Sequence, residues 1–192
     1  MSIETRQVTA KEFEAFIAQP AHTERHFELI HGEIIEDMPT EEHSILAGNI
    51  YFHLRMFVTK HGLGRVAFEV RRKLPGDEHN VRLPDVDFTN TERLQERDDD
   101  EIVRSGPVPQ LPDLAVEIQS PGQSDKLMVD KATYYLTSGT RMVWLVYPRK
   151  QLVEVITADD RVLLSDDDLL EGGAVIPGFS LRVADIFHTR AG

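Results

Sequence analysis

The sequence predicts an α/β domain, a mixed central sheet flanked by helices, with an N-terminal helix and hairpin ahead of it and a C-terminal hairpin behind. Three observations predict this. Apolar residues from Thr40 onward recur at spacings of three and four, the signature of a long amphipathic helix. MVWLVY (142–147) is a continuous apolar run, as expected for a central strand covered on both faces. The elements alternate between the two types along the chain, and that alternation produces layered α/β architectures.

The elements run in order from the N-terminus. Thr9 and Glu12 form a capping box and Pro20 breaks the helical pattern, so a short helix covers about residues 10–18, with Phe13, Phe16 and Ile17 on one face. HFELI and EIIED flank His31-Gly32, a two-residue hairpin turn in which glycine takes positive φ freely and histidine less readily. The helix from Thr40 carries Leu46, Ile50, Leu54, Phe57 and Val58, and His61-Gly62 ends it. VAFEV and VRLPDVDF read as strands separated by LPGDEHN, and residues 91–111 as a long charged loop with one helical turn. DLAVEIQ reads as a short buried strand closed by Ser120-Pro121-Gly122. Ser124 caps a helix that runs to about Thr137, with Gly139 beyond its end. LVEVIT and RVLL make the final hairpin, and a tail ends near Phe187.

At 192 residues the expectation is one domain spanning 1–192, with its core at about 26–150. There is no cysteine, which excludes disulfides and thiolate metal sites. The N-terminus lacks an apolar signal core and no run of 18 apolar residues occurs, so a cytoplasmic protein without membrane contact is expected. A net charge of −12 argues against broad, non-specific nucleic-acid binding, which draws on Lys and Arg. Arg71-Arg72-Lys73, with Arg65 nearby, is the one candidate basic patch; the alternative is a solvated strand end.

The carboxylates carry the chemistry. Magnesium takes a couple of carboxylate oxygens at about 2.1 Å and fills its other positions with water. Asp113 and Glu117 lie four residues apart on one strand, roughly 13 Å at about 3.3 Å per residue, too far to share an ion. Asp85 lies on a different strand. If the two strands are neighbours their backbones are roughly 5 Å apart, and the carboxylates of Asp85 and Glu117 can converge. An acidic residue between apolar neighbours on a buried strand is costly unless paired or metal-bound, so Glu117 is either a metal ligand or a salt-bridged core glutamate.

VRLPDVDF followed by PDLAVEIQSP, then Asp125, Lys131 and Tyr135, then Gly139, Trp144 and Tyr147-Pro148, resembles the Uma-type restriction endonuclease family of the PD-(D/E)XK nuclease superfamily. FELIHGEII and the helix opening with His43 match the same pattern. The resemblance implies a restriction-endonuclease-like fold binding Mg²⁺ or Mn²⁺, a DNA substrate and a homodimer. It places the metal ligands on Asp85 and Glu117. Gln119 stands where the superfamily has its lysine, and Lys131 on the next helix is the candidate to replace it. The alternative for Lys131 is a solvated helix lysine lying on Tyr135. Glu28, His43 and Tyr135 are candidate outer members of the site. Tyr147 replaces the family's usual Asp, a structural change at a strand end. The implied activity is a Mg²⁺-dependent DNA endonuclease; the competing one is a catalytically weak or inactive nuclease-fold module acting in nucleic-acid binding or protein assembly.

Overall fold

The structure, a computed structural model, describes residues 6–94 and 106–189. The chain resolves into two compact units, each assembled from three separate stretches of sequence.

The first unit comprises Met1–Met38, Val70–Leu83 and Ser105–Leu111. Helix α1 (Ala10–Ile17) starts at the Thr9–Glu12 capping box, with both reciprocal hydrogen bonds formed. Strands β1 (His26–Ile30) and β2 (Glu33–Asp37) make the expected antiparallel hairpin, and its turn holds His31 at φ 51° and Gly32 at φ 79°. Ala10, Phe13, Phe27, Leu29 and Val81 form the buried cluster of this unit. The basic run departs from expectation. Arg72 is buried and donates to the Gln110 carbonyl at 3.3 Å, while Arg71 pairs with Glu14 and Lys73 with Glu78. A guanidinium drawn onto a backbone carbonyl and two cations with acidic partners make neither an open patch nor a freely solvated strand end.

The second unit comprises Pro39–Glu69, Pro84–Arg104 and Pro112–Gly192. Its long helix α2 (Glu41–His61) is capped by the Thr40 hydroxyl and ends at Gly62 in the left-handed conformation. Six strands form one sheet: β3 (Gly64–Phe68), β4 (Val86–Asn90), β5 (Leu114–Ile118), β6 (Met142–Tyr147), β7 (Leu152–Thr157) and β8 (Arg161–Leu164), in that spatial order. A four-residue helix α3 (Thr91–Leu94) comes directly after β4, and helix α4 (Asp125–Thr137), capped by Ser124, links β5 to β6. That pair alone is parallel, because a helix is the connection long enough to bring the chain back to the same sheet end. The sheet is therefore mixed, as the sequence predicts.

Alternation within β5 and β6 assigns the faces. Leu114, Val116, Ile118, Met142, Trp144 and Val146 join Leu46, Ile50, Leu54 and Val58 of α2 in one large core. Each such fully buried aliphatic or aromatic side chain contributes on the order of 1.5–3 kcal/mol. Ala115, Glu117, Val143 and Leu145 point the other way, toward the face on which α4 lies. The stretch after the β7–β8 hairpin is more ordered than a tail. Strands β9 (Leu169–Glu171) and β10 (Ser180–Arg182) pair, helix α5 (Val183–Ile186) comes next, and Phe179 stacks on Trp144 with ring centroids 5.9 Å apart.

VRLPDVDF is not one strand. Pro84 has no N–H to give a ladder, so pairing lapses there and β4 begins at Val86. Val81 and Arg82 instead make isolated bridges within the first unit. Among the described residues no helix is long and apolar enough to cross a membrane.

Candidate active site

Glu117 sits on β5, in the middle of the six-stranded sheet, and is only 2% exposed. Such a carboxylate requires partners. Lys131 of α4 donates to its Oε2 at 2.6 Å, and the Tyr135 hydroxyl donates to its Oε1 at 2.8 Å. Lys131 and Tyr135 are four residues apart, one turn of the helix, so both meet the same strand residue. Lys131 is itself 4% exposed, which rules out the solvated-lysine alternative and gives α4 a buried cation on its inner face.

Asp85 stands one residue before β4, next to the paired residues Val86 and Val116. Its backbone N–H donates to the Val116 carbonyl at 3.1 Å, and its Oδ2 accepts from the Ile118 N–H at 2.6 Å. Asp85 is thus clasped to both neighbours of Glu117. His43, in the first turn of α2 and buried, brings Nε2 to 3.3 Å from the same Oδ2. The other oxygen, Oδ1, has no hydrogen-bond partner among the described residues.

Gln119 turns elsewhere. Its amide donates to the Gln123 carbonyl at 3.1 Å and to Asp125 Oδ1 at 3.0 Å, and Lys150 donates to the other Asp125 oxygen at 2.5 Å. The Lys150 hydrogen bond, and then that of Gln119, hold the Asp125 carboxyl below its ordinary range. Glu28 lies in the first unit, where its Oε1 accepts from the Leu83 N–H at 3.0 Å. Asp113, set aside on distance, is fully buried and structural. It accepts from the Asn90 N–H at 2.9 Å and from Arg93 at 3.2 Å, tying β5 to the end of β4.

Two features escaped sequence reasoning. Asp87 is a further buried carboxylate, paired across to Ala115 and on the opposite face from Val86 and Phe88. The alternation V-D-F-T was the available signal. Tyr147, at the end of β6, donates to Glu154 at 3.1 Å, and Glu154 also accepts from Arg161. Burial first, and then the Glu154 charge, push the Tyr147 hydroxyl well above the usual phenol range.

A family model described as "Uma2: Putative restriction endonuclease" matches residues 11–184. The chain belongs to the Uma2 family. A solved structure described as a putative nuclease belonging to DUF820, from Anabaena variabilis ATCC 29413, has a TM-score of 0.77 against this chain at 26% sequence identity. That match covers 94% of this chain and 97% of the Anabaena one. No curated protein matches the chain. Uma2 membership and the Anabaena likeness establish the restriction-endonuclease-like fold. The Lys131–Glu117–Tyr135 constellation lies within the matched stretch.

Proposed function

We propose that this Uma2-family chain is a divalent-metal-dependent endonuclease acting on DNA, with Asp85 and Glu117 as metal ligands and Lys131 as the cationic member of the site. The observation that carries this reading is the buried Glu117 carboxylate on the central strand, joined to a lysine and a tyrosine from α4 and bracketed by Asp85. The donor set fits a hard cation such as Mg²⁺ or Mn²⁺, because it offers carboxylate oxygens and no thiolate. When bound, such an ion supplies a Lewis acid for the phosphodiester and an acidified water.

The chain's own groups have separable tasks. Lys131 offsets negative charge beside Glu117 and is the group suited to face charge developing on phosphorus. Tyr135 fixes the second oxygen of Glu117, so that the carboxylate cannot rotate freely. The Ile118 N–H orients Asp85 and leaves Oδ1 available as a ligand. Gln119 can donate and accept hydrogen bonds but cannot neutralise charge, so its task is to hold the loop after β5.

One observation favours a second reading, a nuclease-fold module of weak or absent activity: both oxygens of Glu117 already have protein donors. Incubating supercoiled plasmid with Mg²⁺ or Mn²⁺ separates the two. Nicking that requires the ion and disappears in Asp85→Asn and Glu117→Gln, with folding checked by thermal melting, supports the endonuclease. Nicking that survives both substitutions belongs to a contaminant, and a folded parent that cleaves under neither ion refutes the activity. Size-exclusion chromatography with light scattering tests the expected homodimer on the same samples.

A further inference from the structure

A cleft in the second unit is lined by Thr40, His43, Ser120, Gln123, Pro148 and Arg149, and its His43 reaches to 3.3 Å from Asp85. Two features of it call for a ligand. Ser120 is 4% exposed, and its Oγ is buried without a hydrogen-bond partner among the described residues, although leaving a buried hydroxyl unsatisfied is costly. Arg149 is exposed and forms no ion pair among the described residues, in a chain carrying 33 acidic against 21 basic side chains. Its neighbour Lys150, by contrast, is held by Asp125.

The loop that presents Ser120 is braced. The Ser120 N–H donates to Gln123 Oε1 and the Gln123 N–H to the Ser120 carbonyl, both at 3.1 Å, while the Gln119 amide ties Gln123 to Asp125. A hydroxyl on a braced loop and a guanidinium without an ion pair, lining one cleft, offer one neutral donor and one fork of charged donors, the combination suited to a phosphate oxygen pair. Location names the phosphate. His43 lines the cleft and touches Asp85, and Gln119 stands two residues beyond Glu117, about 7 Å along the strand. Glu42, exposed and also lining the cleft, repels anions where Arg149 attracts them, so Arg149 is the residue a phosphate would approach.

We infer that this cleft is a backbone subsite, in which Arg149 and Ser120 hold the DNA phosphate next to the one undergoing hydrolysis. The inference rests on the endonuclease reading but has its own readout. It also gives an acidic protein a local means of gripping DNA without a general basic surface.

The test is fluorescence anisotropy of a short labelled DNA duplex in EDTA, run beside the plasmid nicking assay. Arg149→Ala should weaken binding about tenfold and lower the slope of log K against log salt by about one. Ser120→Ala should weaken it about threefold to tenfold with the slope unchanged. Glu42→Gln should tighten it. If the parent binds and cleaves while Arg149→Ala and Ser120→Ala bind as it does, the subsite is wrong and the endonuclease reading stands. If the variants lose binding as expected but the folded parent never cleaves, the phosphate grip of Arg149 and Ser120 stands, and its place beside a scissile phosphate falls with the activity. A parent that neither binds nor cleaves overturns both.

Discussion

Replacing Lys131 by methionine keeps a long apolar stem and removes only the ammonium. That group stands 2.6 Å from Glu117 Oε2, with the two side chains 4% and 2% exposed. Removing one partner of a buried pair leaves the other charge stranded, at a cost of about 3–5 kcal/mol. In a chain of this length each kcal/mol moves Tm by about 2–4 °C, so melting in EDTA should fall by roughly 6–20 °C. Glu117→Gln should cost less, because the amide oxygen can still accept from the Lys131 ammonium whereas methionine donates nothing to Glu117, and the double variant should recover about 0.5–3 kcal/mol relative to the sum of the singles. Differential scanning calorimetry on the four proteins measures this directly. Adding Mn²⁺ extends the cycle: at a hundred times its Kd a ligand restores about 2.7 kcal/mol, and it should do so for Lys131→Met but not for Glu117→Gln. A Tm change below about 2 °C for Lys131→Met, or strict additivity in the double variant, would refute the claim that this ion pair supports the fold.

Two further substitutions separate structural from functional carboxylates. Asp113→Ala strands the Asn90 N–H and takes one acceptor from Arg93, and should destabilise by about 1–3 kcal/mol in chemical denaturation, while leaving Mn²⁺ affinity at the parent's value; a loss of metal binding in the folded variant would return Asp113 to the site. Lys150→Ala removes the main cause of the low Asp125 pKa, so that carboxyl should titrate nearer its ordinary value in NMR. A depressed folded pKa contributes stability above the unfolded value and loses it as pH falls through the folded one; the variant should therefore lose that contribution at higher pH than the parent, and an unmoved Asp125 midpoint would show that Lys150 is not what holds it.

Local chemistry carried much of this structure. The Thr9–Glu12 box, the Thr40 and Ser124 caps, the Gly62 stop and the His31-Gly32 turn each act within a few residues, so their sequence signatures translate directly into elements. Strand arithmetic alone removed Asp113 as a partner for Glu117. The pairing of Lys131 with Glu117 was legible only through family resemblance, because nothing in helix periodicity says which strand a helix faces. Long-range pairing was hidden. Asp125 meets Lys150 across 25 positions, and Arg72 is buried by segments the sequence places far apart. The break at Pro84 was written in the chain, but the apolar run around it outweighed the proline in reading VRLPDVDF as one strand.

The interleaving of the two units has a practical and a temporal consequence. Because stretches of both alternate along the chain, no single cut in the gene separates them: a cut after Leu111 keeps the first unit whole with two stretches of the second, and a cut after Met38 keeps the second whole with two stretches of the first. During synthesis the first unit lacks its last stretch until Leu111 has emerged, and the second lacks the strand bearing Glu117 until still later. A nascent chain that has already displayed Asp85 therefore spends its early life without the residues that clasp it.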